Sequence, residues 1–203
     1  MSHSLESSPS TSSRVLGLVG VLGGAVLLLG VVPFDWNTGF FQFRLVLFIA
    51  GAMAIVFAVH RRQAPVAPAL ALVAAVPALL ANAWYLAMVV FSIVAIRPFA
   101  RDEGLVFFTA GVALWITDAV FGLVTLRLAK VDRWGALAVA LGSLLVFTGM
   151  DRLGLTSSAN PTTFGPLALT GGVLTAIGWI LMGIDIARGG RGVSAPSRKL
   201  VDA

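Results

Sequence analysis

The 203-residue chain contains no cysteine, and that absence removes disulfides, thiolate metal ligands, thiol redox relays and lipid attachment through sulfur. Charge is scarce as well. Asp, Glu, Lys and Arg make up 11% of the residues, against roughly 25% in an average soluble domain. Histidine occurs only at His3, in a polar tail, and at His60, at the end of an apolar run. Bis-histidine haem ligation needs histidines inside facing helices, so it is excluded. No lysine lies within an apolar run, which removes a buried Schiff base. The paired carboxylates or serine-base arrangements of an intramembrane hydrolase are missing too. The expectation is therefore a protein with no cofactor, no metal and no catalytic residues.

What is abundant is apolar surface. Hydrophobic residues are 58% of the chain and its mean hydropathy is +0.96, where about 45–50% is usual for soluble proteins. These residues gather into six runs, 15–32, 45–59, 67–96, 105–126, 134–150 and 166–186, separated by short polar stretches. A helix needs about 20 apolar residues to cross a bilayer, and six such spans leave no room for a separate water-soluble domain. The expected fold class is an all-α integral membrane protein, a six-transmembrane helix bundle occupying 14–188. Residues 1–13 form a Ser-rich tail and 189–203 a basic tail, both of disordered composition. The first run has the length of a signal-peptide core, but no small-residue cleavage site precedes Pro33, so it is expected to be retained as a span.

The net charge of +5 raises the question of nucleic acid, yet the bases are dispersed over the loops rather than gathered with aromatics into a patch. Topology accounts for them. Arg14, Arg61, Arg62, Arg127, Lys130, Arg133, Arg188, Arg191, Arg198 and Lys199 fall on one set of connections and tails. Arg44, Arg97, Arg101 and Arg152 fall on the other. The positive-inside rule then places both termini in the cytoplasm and the protein in the cell membrane, with the lipid bilayer as its first partner. On the outer side, Phe34, Trp36, Phe40, Phe41, Phe43, Phe99, Phe107 and Phe108 suit an interfacial aromatic belt. The acids Asp35, Asp102, Glu103 and Asp151 are matched there by arginines and read as solvated loop charges.

Small residues recur at spacings of four and seven, the arrangement that lets helix backbones approach in lipid. Gly20 and Gly24 mark the first span, Ala50, Ala54 and Ala58 the second, Gly135, Gly142 and Gly149 the fifth, and Ala168, Gly172 and Ala176 the sixth. These stripes serve either packing within one bundle or association with a second copy or a larger membrane complex. Pro77 is expected to kink the third span, because its ring and missing N–H interrupt the helical ladder. Asn82 and Tyr85 follow on one face of that helix.

The most distinctive chemical feature is Asp118, near the middle of the fourth run. An aspartate at a helix centre costs about 2.5–3.5 kcal/mol on insertion scales, and acids at such depth face a bundle interior or water. No Lys or Arg lies at comparable depth to neutralise it. Two roles follow. Asp118 either holds a proton or cation with Asn82 and Tyr85 as co-ligands, or it is neutral and bonded to Asn82, Tyr85, Ser143 or a backbone carbonyl. Asp185 and Arg188, three apart near the end of the sixth run, are expected to pair on the helix surface.

Three functional classes remain. The pattern favours a non-enzymatic membrane module or accessory subunit that assembles through its small-residue faces. The alternative is a small proton- or cation-coupled transporter or channel-like protein using Asp118. The third, least favoured, is a lipid-acting enzyme at the outer surface using the acidic loops.

Overall fold

Local chemistry explains where the helices begin and end. The structure, a computed structural model, describes residues 11–30, 39–95, 101–154 and 166–189. The first ten residues, most of the outer loops and the basic tail lie outside that set, as do Phe34, Asp35, Trp36, Arg97 and Phe99. The described residues form six helices: α1 (Thr11–Gly30), α2 (Gly39–Gln63), α3 (Pro68–Ala95), α4 (Arg101–Leu128), α5 (Arg133–Gly154) and α6 (Pro166–Ala187). Among the described residues there is no strand.

Proline opens α3 and α6, where its missing N–H costs nothing and its fixed φ suits the first turn. Asp132 caps α5 by accepting the Gly135 N–H on Oδ2 at 2.6 Å. The helix ends use left-handed residues: Ala129 (φ 51°) follows α4 and Gly189 (φ 92°) follows α6. At Ala129 this conformation is held by its N–H donating to the Thr125 carbonyl at 3.0 Å.

Each helix packs on its neighbour in chain order and α6 returns to α1, so the six form a closed ring; α2 also touches α4 and α6 across it. Neighbours are antiparallel. Gly17 and Gly24 of α1 lie against Gly183 and Ala176 of α6, while Gly20 and Gly23 lie against Ile55 and Gly51 of α2. One end of the ring therefore collects the α2–α3 and α4–α5 connections, the start of α1 and the end of α6, and with them Arg14, Arg61, Arg62, Arg127, Lys130, Arg133 and Arg188. This is the basic end.

The outward faces remain apolar. Leu22, Val73, Leu80 and Val94 are exposed, which in water would be a large apolar liability and in lipid is a matched surface. Five helices are long and apolar enough to cross a membrane. The fifth run of the sequence does not reach that length: α5 is apolar only over Arg133–Gly149 before Asp151 and Arg152. At 1.5 Å per residue such a stretch spans about 25 Å, against about 30 Å of hydrocarbon. The fold shown is thus an all-helical bundle with five candidate spans and one shorter apolar helix held between α4 and α6.

Ring closure at the basic end involves an ion pair that differs from the expected one. Asp185 pairs with Arg62 of α2, Oδ2 to Nη1 at 3.3 Å, rather than with Arg188. The second guanidinium nitrogen donates to the Ile186 carbonyl at 3.0 Å. Arg62 thereby ties the end of α2 to the last turn of α6, where the Ile186 carbonyl also accepts the Gly189 N–H at 3.1 Å. Arg44, at the other end, donates to the Leu29 carbonyl of α1 at 3.2 Å.

Candidate functional site

The buried residues of α3 and α4 are mainly small or apolar: Ala71, Ala74, Ala75, Ala78 and Val89 on α3, Ala110, Leu114, Ala119 and Phe121 on α4. Among these each helix inserts one strongly polar side chain. Asn82 and Asp118 are both fully buried. The Asn82 Nδ2 donates one hydrogen to the Ala78 carbonyl at 2.8 Å and one to Asp118 Oδ1 at 3.0 Å. Its donors are thereby used. The remaining oxygens are not: Asp118 Oδ2 and Asn82 Oδ1 are buried with no partner among the described residues.

Tyr85, the third residue expected at the site, is only partly buried and makes no hydrogen bond to this pair. Its ring packs on Phe107 of α4 at 5.0 Å between centroids. α3 runs unbroken through Pro77, whose ring lies on the exposed face of the helix, away from the pair. Thr117 spends its hydroxyl on its own helix, donating to the Ala113 carbonyl at 2.8 Å. Among the described residues no Lys, Arg or His shares the depth of Asp118; the basic residues of the described helices stand toward the helix ends in sequence.

Aromatic pairs flank the carboxylate along α4. Three residues toward the far end, Trp115 stacks on Phe48 of α2 with centroids 6.4 Å apart. Three residues toward the basic end, Phe121 stacks on Trp179 of α6 at 6.0 Å. Beyond that stack, on the same face, Thr125 is fully buried with an unpartnered hydroxyl. Ser143 of α5, Thr175 and the indole N–H of Trp179 on α6, and both amide atoms of Gln63 on α2 are likewise buried and unpartnered. Sequence reading singled out neither Gln63, Thr175 nor Trp179. The one available signal was the spacing of Thr175 and Trp179, four apart and so on one helix face.

The small residues sit as follows. A Cβ on Gly142 would lie 2.5 Å from the Thr175 backbone nitrogen, on Gly135 2.9 Å from the Gly178 carbonyl, and on Gly149 2.8 Å from the Ala168 nitrogen. α5 and α6 are thus in backbone contact along their length. On α6, Gly171 rather than Gly172 meets α5, where an added Cβ would lie 2.6 Å from the Val146 nitrogen, and Gly172 is half-buried. Gly20 and Gly24 face different helices, α2 and α6. Ala168 and Ala176 are buried; Ala50 of the second-span stripe is exposed. The acids Asp102, Glu103 and Asp151 lie outside the residues whose side chains are described.

Chemically, two inward oxygens without donors can accept a proton, a water or a small cation. They are too few for a bare divalent ion, which takes six or more oxygens or a near-octahedral shell. No protein-family model, curated protein or solved structure matches this chain.

Proposed function

We propose that the chain is a six-span cell-membrane protein with both termini cytoplasmic, and that its working element is the Asp118–Asn82 pair, which reversibly binds a proton or a small monovalent cation. The reading is non-enzymatic and transporter-like. One observation carries it: the pair is held by a hydrogen bond, yet each partner keeps a buried oxygen without a donor. A polar pair kept only as glue gains most when every member is satisfied, because an unpaired buried group costs about 1–3 kcal/mol. A guest that supplies positive charge or hydrogen-bond donors removes that cost at both oxygens.

The positive-inside distribution supports the orientation. α5 counts as the sixth crossing in this reading because its polar continuation through Gly154 brings the helix to 22 residues, about 33 Å. The glycine contacts bear on the alternative of assembly through small-residue faces: Gly20, Gly24, Gly135, Gly142 and Gly149 all lie against helices of the same chain. An accessory subunit remains the second reading, favoured by the Asn82–Asp118 bond itself, which pins α3 to α4 and suits a scaffold.

Reconstitution separates the two. Liposomes carrying the protein and a trapped pH or sodium dye are given a proton or sodium gradient, and the wild type dissipates one of them faster than empty liposomes while Asp118→Asn does not. Equal rates for wild type, Asp118→Asn and empty liposomes would leave the scaffold reading.

A further inference from the structure

The buried polar atoms without partners are not scattered through the bundle. Asn82, Asp118, Ser143 and Thr175 lie near the middle of their helices, Trp179 and Thr125 lie closer to the basic end, and Gln63 and the Nδ1 of His60 stand in the last turn of α2 at that end. Five helices contribute, and each of these atoms is buried. Among the described residues, none of the buried unpartnered groups lies toward the far end. There the interior is Ala110 and Leu114, both fully buried, with the Phe48–Trp115 stack.

We infer that the ring interior carries a hydrated path from the basic end to Asp118, lined by Gln63, Thr125, Trp179, Thr175 and Ser143, and that the Phe48–Trp115 layer closes Asp118 to the far end. Isolated hydroxyls in membrane helices normally return to their own backbone, as Thr117, Thr148 and Thr170 do here. Thr125, Ser143 and Thr175 do not. Hydroxyl, indole and carboxamide groups left without protein partners inside a bundle are the groups that ordered water bridges, typically with about three hydrogen bonds per molecule. Thr125 is seven residues from Asp118, about 10 Å along α4, so a few waters connect the two levels. Thr175 abuts Gly142, next to Ser143, which brings the α5 and α6 hydroxyls to one level.

Phe121 and Trp179 stand between Thr125 and Asp118, and the indole N–H gives that constriction a donor. The opposite stack also holds an indole, but Trp115 is only partly buried and its N–H is not among the buried unpartnered groups; among the described residues no such group lies beyond it toward the far end. The asymmetry directs exchange of a proton or monovalent cation to the basic side. As an account of how the guest reaches its site, this rests on the functional reading above, but the path can exist without transport and transport without this path.

The cysteine-free chain makes the test direct. Single variants Thr125→Cys, Ser143→Cys and Ala110→Cys are prepared in membrane vesicles of both orientations and treated with a small, impermeant, cationic methanethiosulfonate. Trp134→Cys, 73% exposed at the basic end, reports which vesicles present that face. The expected result is modification of Thr125→Cys and Ser143→Cys at least tenfold faster from the basic face, with Ala110→Cys unreactive from either. Protection of both from both faces, or faster modification from the far face, overturns the inference. Ser143→Cys is nearly isosteric and decides alone if Thr125→Cys does not elute as a folded species. Basic-face modification combined with unchanged flux in Asp118→Asn would retain the path and remove the functional reading; Asp118-dependent flux with protected cysteines would do the reverse.

Discussion

Asn82 and Asp118 meet across the α3–α4 interface through one hydrogen bond of 3.0 Å, and the same carboxamide nitrogen also holds the Ala78 carbonyl one turn back on α3. The carboxamide is therefore oriented by its own helix before it meets the carboxylate. Asp118→Ala leaves the second amide hydrogen buried and unmet, which costs about 1–3 kcal/mol. Asn82→Ala is expected to cost a similar amount. The pair is coupled, so the double variant loses less than the sum, by about 0.6 kcal/mol and at most about 1.7, the average and the maximum for hydrogen bonds between membrane helices. Thermal unfolding in detergent of the four proteins gives the cycle; strict additivity would mean that the bond contributes nothing.

Backbone contact between α5 and α6 makes a sharp prediction about glycine. Gly142→Leu places a side chain where the Thr175 nitrogen already stands 2.5 Å from the Cβ position, and Gly171→Leu meets the Val146 nitrogen at 2.6 Å. Neither obstacle is a flexible side chain, so the helices must separate. Both variants are expected to lose the monodisperse folded peak on size exclusion, whereas Gly172→Leu, half-buried beside them, retains it.

Arg62 makes two contacts to the end of α6, and both it and Asp185 are largely shielded, with side chains 20% and 14% exposed. Arg62→Ala is expected to lower stability by about 1–2 kcal/mol, the scale of a charge-assisted bond after screening. Arg188→Ala, at an exposed position after the end of α6, is expected to change little. Comparable losses in the two variants would return Asp185 to the partner that its sequence spacing favoured.

Asp132 supplies the cap of α5, the shortest apolar helix of the bundle. Asp132→Ala is expected to cost about 1 kcal/mol and Asp132→Asn or Asp132→Ser much less, because these side chains also accept the N3 amide hydrogen. A thermal shift that ranks alanine with asparagine would contradict the capping role.

How much of this was readable in the residues depends on whether the signal was local. The apolar runs announced the helices, since hydropathy needs no partner to be recognised, but they understated α2, which continues through polar residues from Gly39 to Gln63. Asp118 and Asn82 stood out because each is costly at mid-span, and few partners exist at that depth. Facing was less accessible. Of the α6 stripe, Ala168 and Ala176 are buried but Gly172 is half-buried and its neighbour Gly171 meets α5, since helix crossing geometry decides which of two adjacent glycines meets a neighbour. A spacing of three makes Arg188 the visible partner for Asp185 in the sequence, while the pairing with Arg62 needs the meeting of α2 and α6, a product of ring closure. Thr125, Ser143, Thr175 and Trp179 are ordinary membrane-helix residues one at a time. Only their common lack of partners, a property of the folded interior, draws them together.

In the proposed function the Asp118 carboxyl binds and releases a proton or exchanges it for a monovalent cation. Infrared difference spectroscopy of the reconstituted protein, with Asp118→Asn as reference, reads that carboxyl directly. The account predicts a protonated carboxyl C=O band that is absent from Asp118→Asn and is converted to carboxylate bands when bulk pH is raised or sodium is added. A band assigned to Asp118 that ignores both pH and sodium across the range in which the protein stays folded would contradict it, and would leave the residue as a fixed link between α3 and α4.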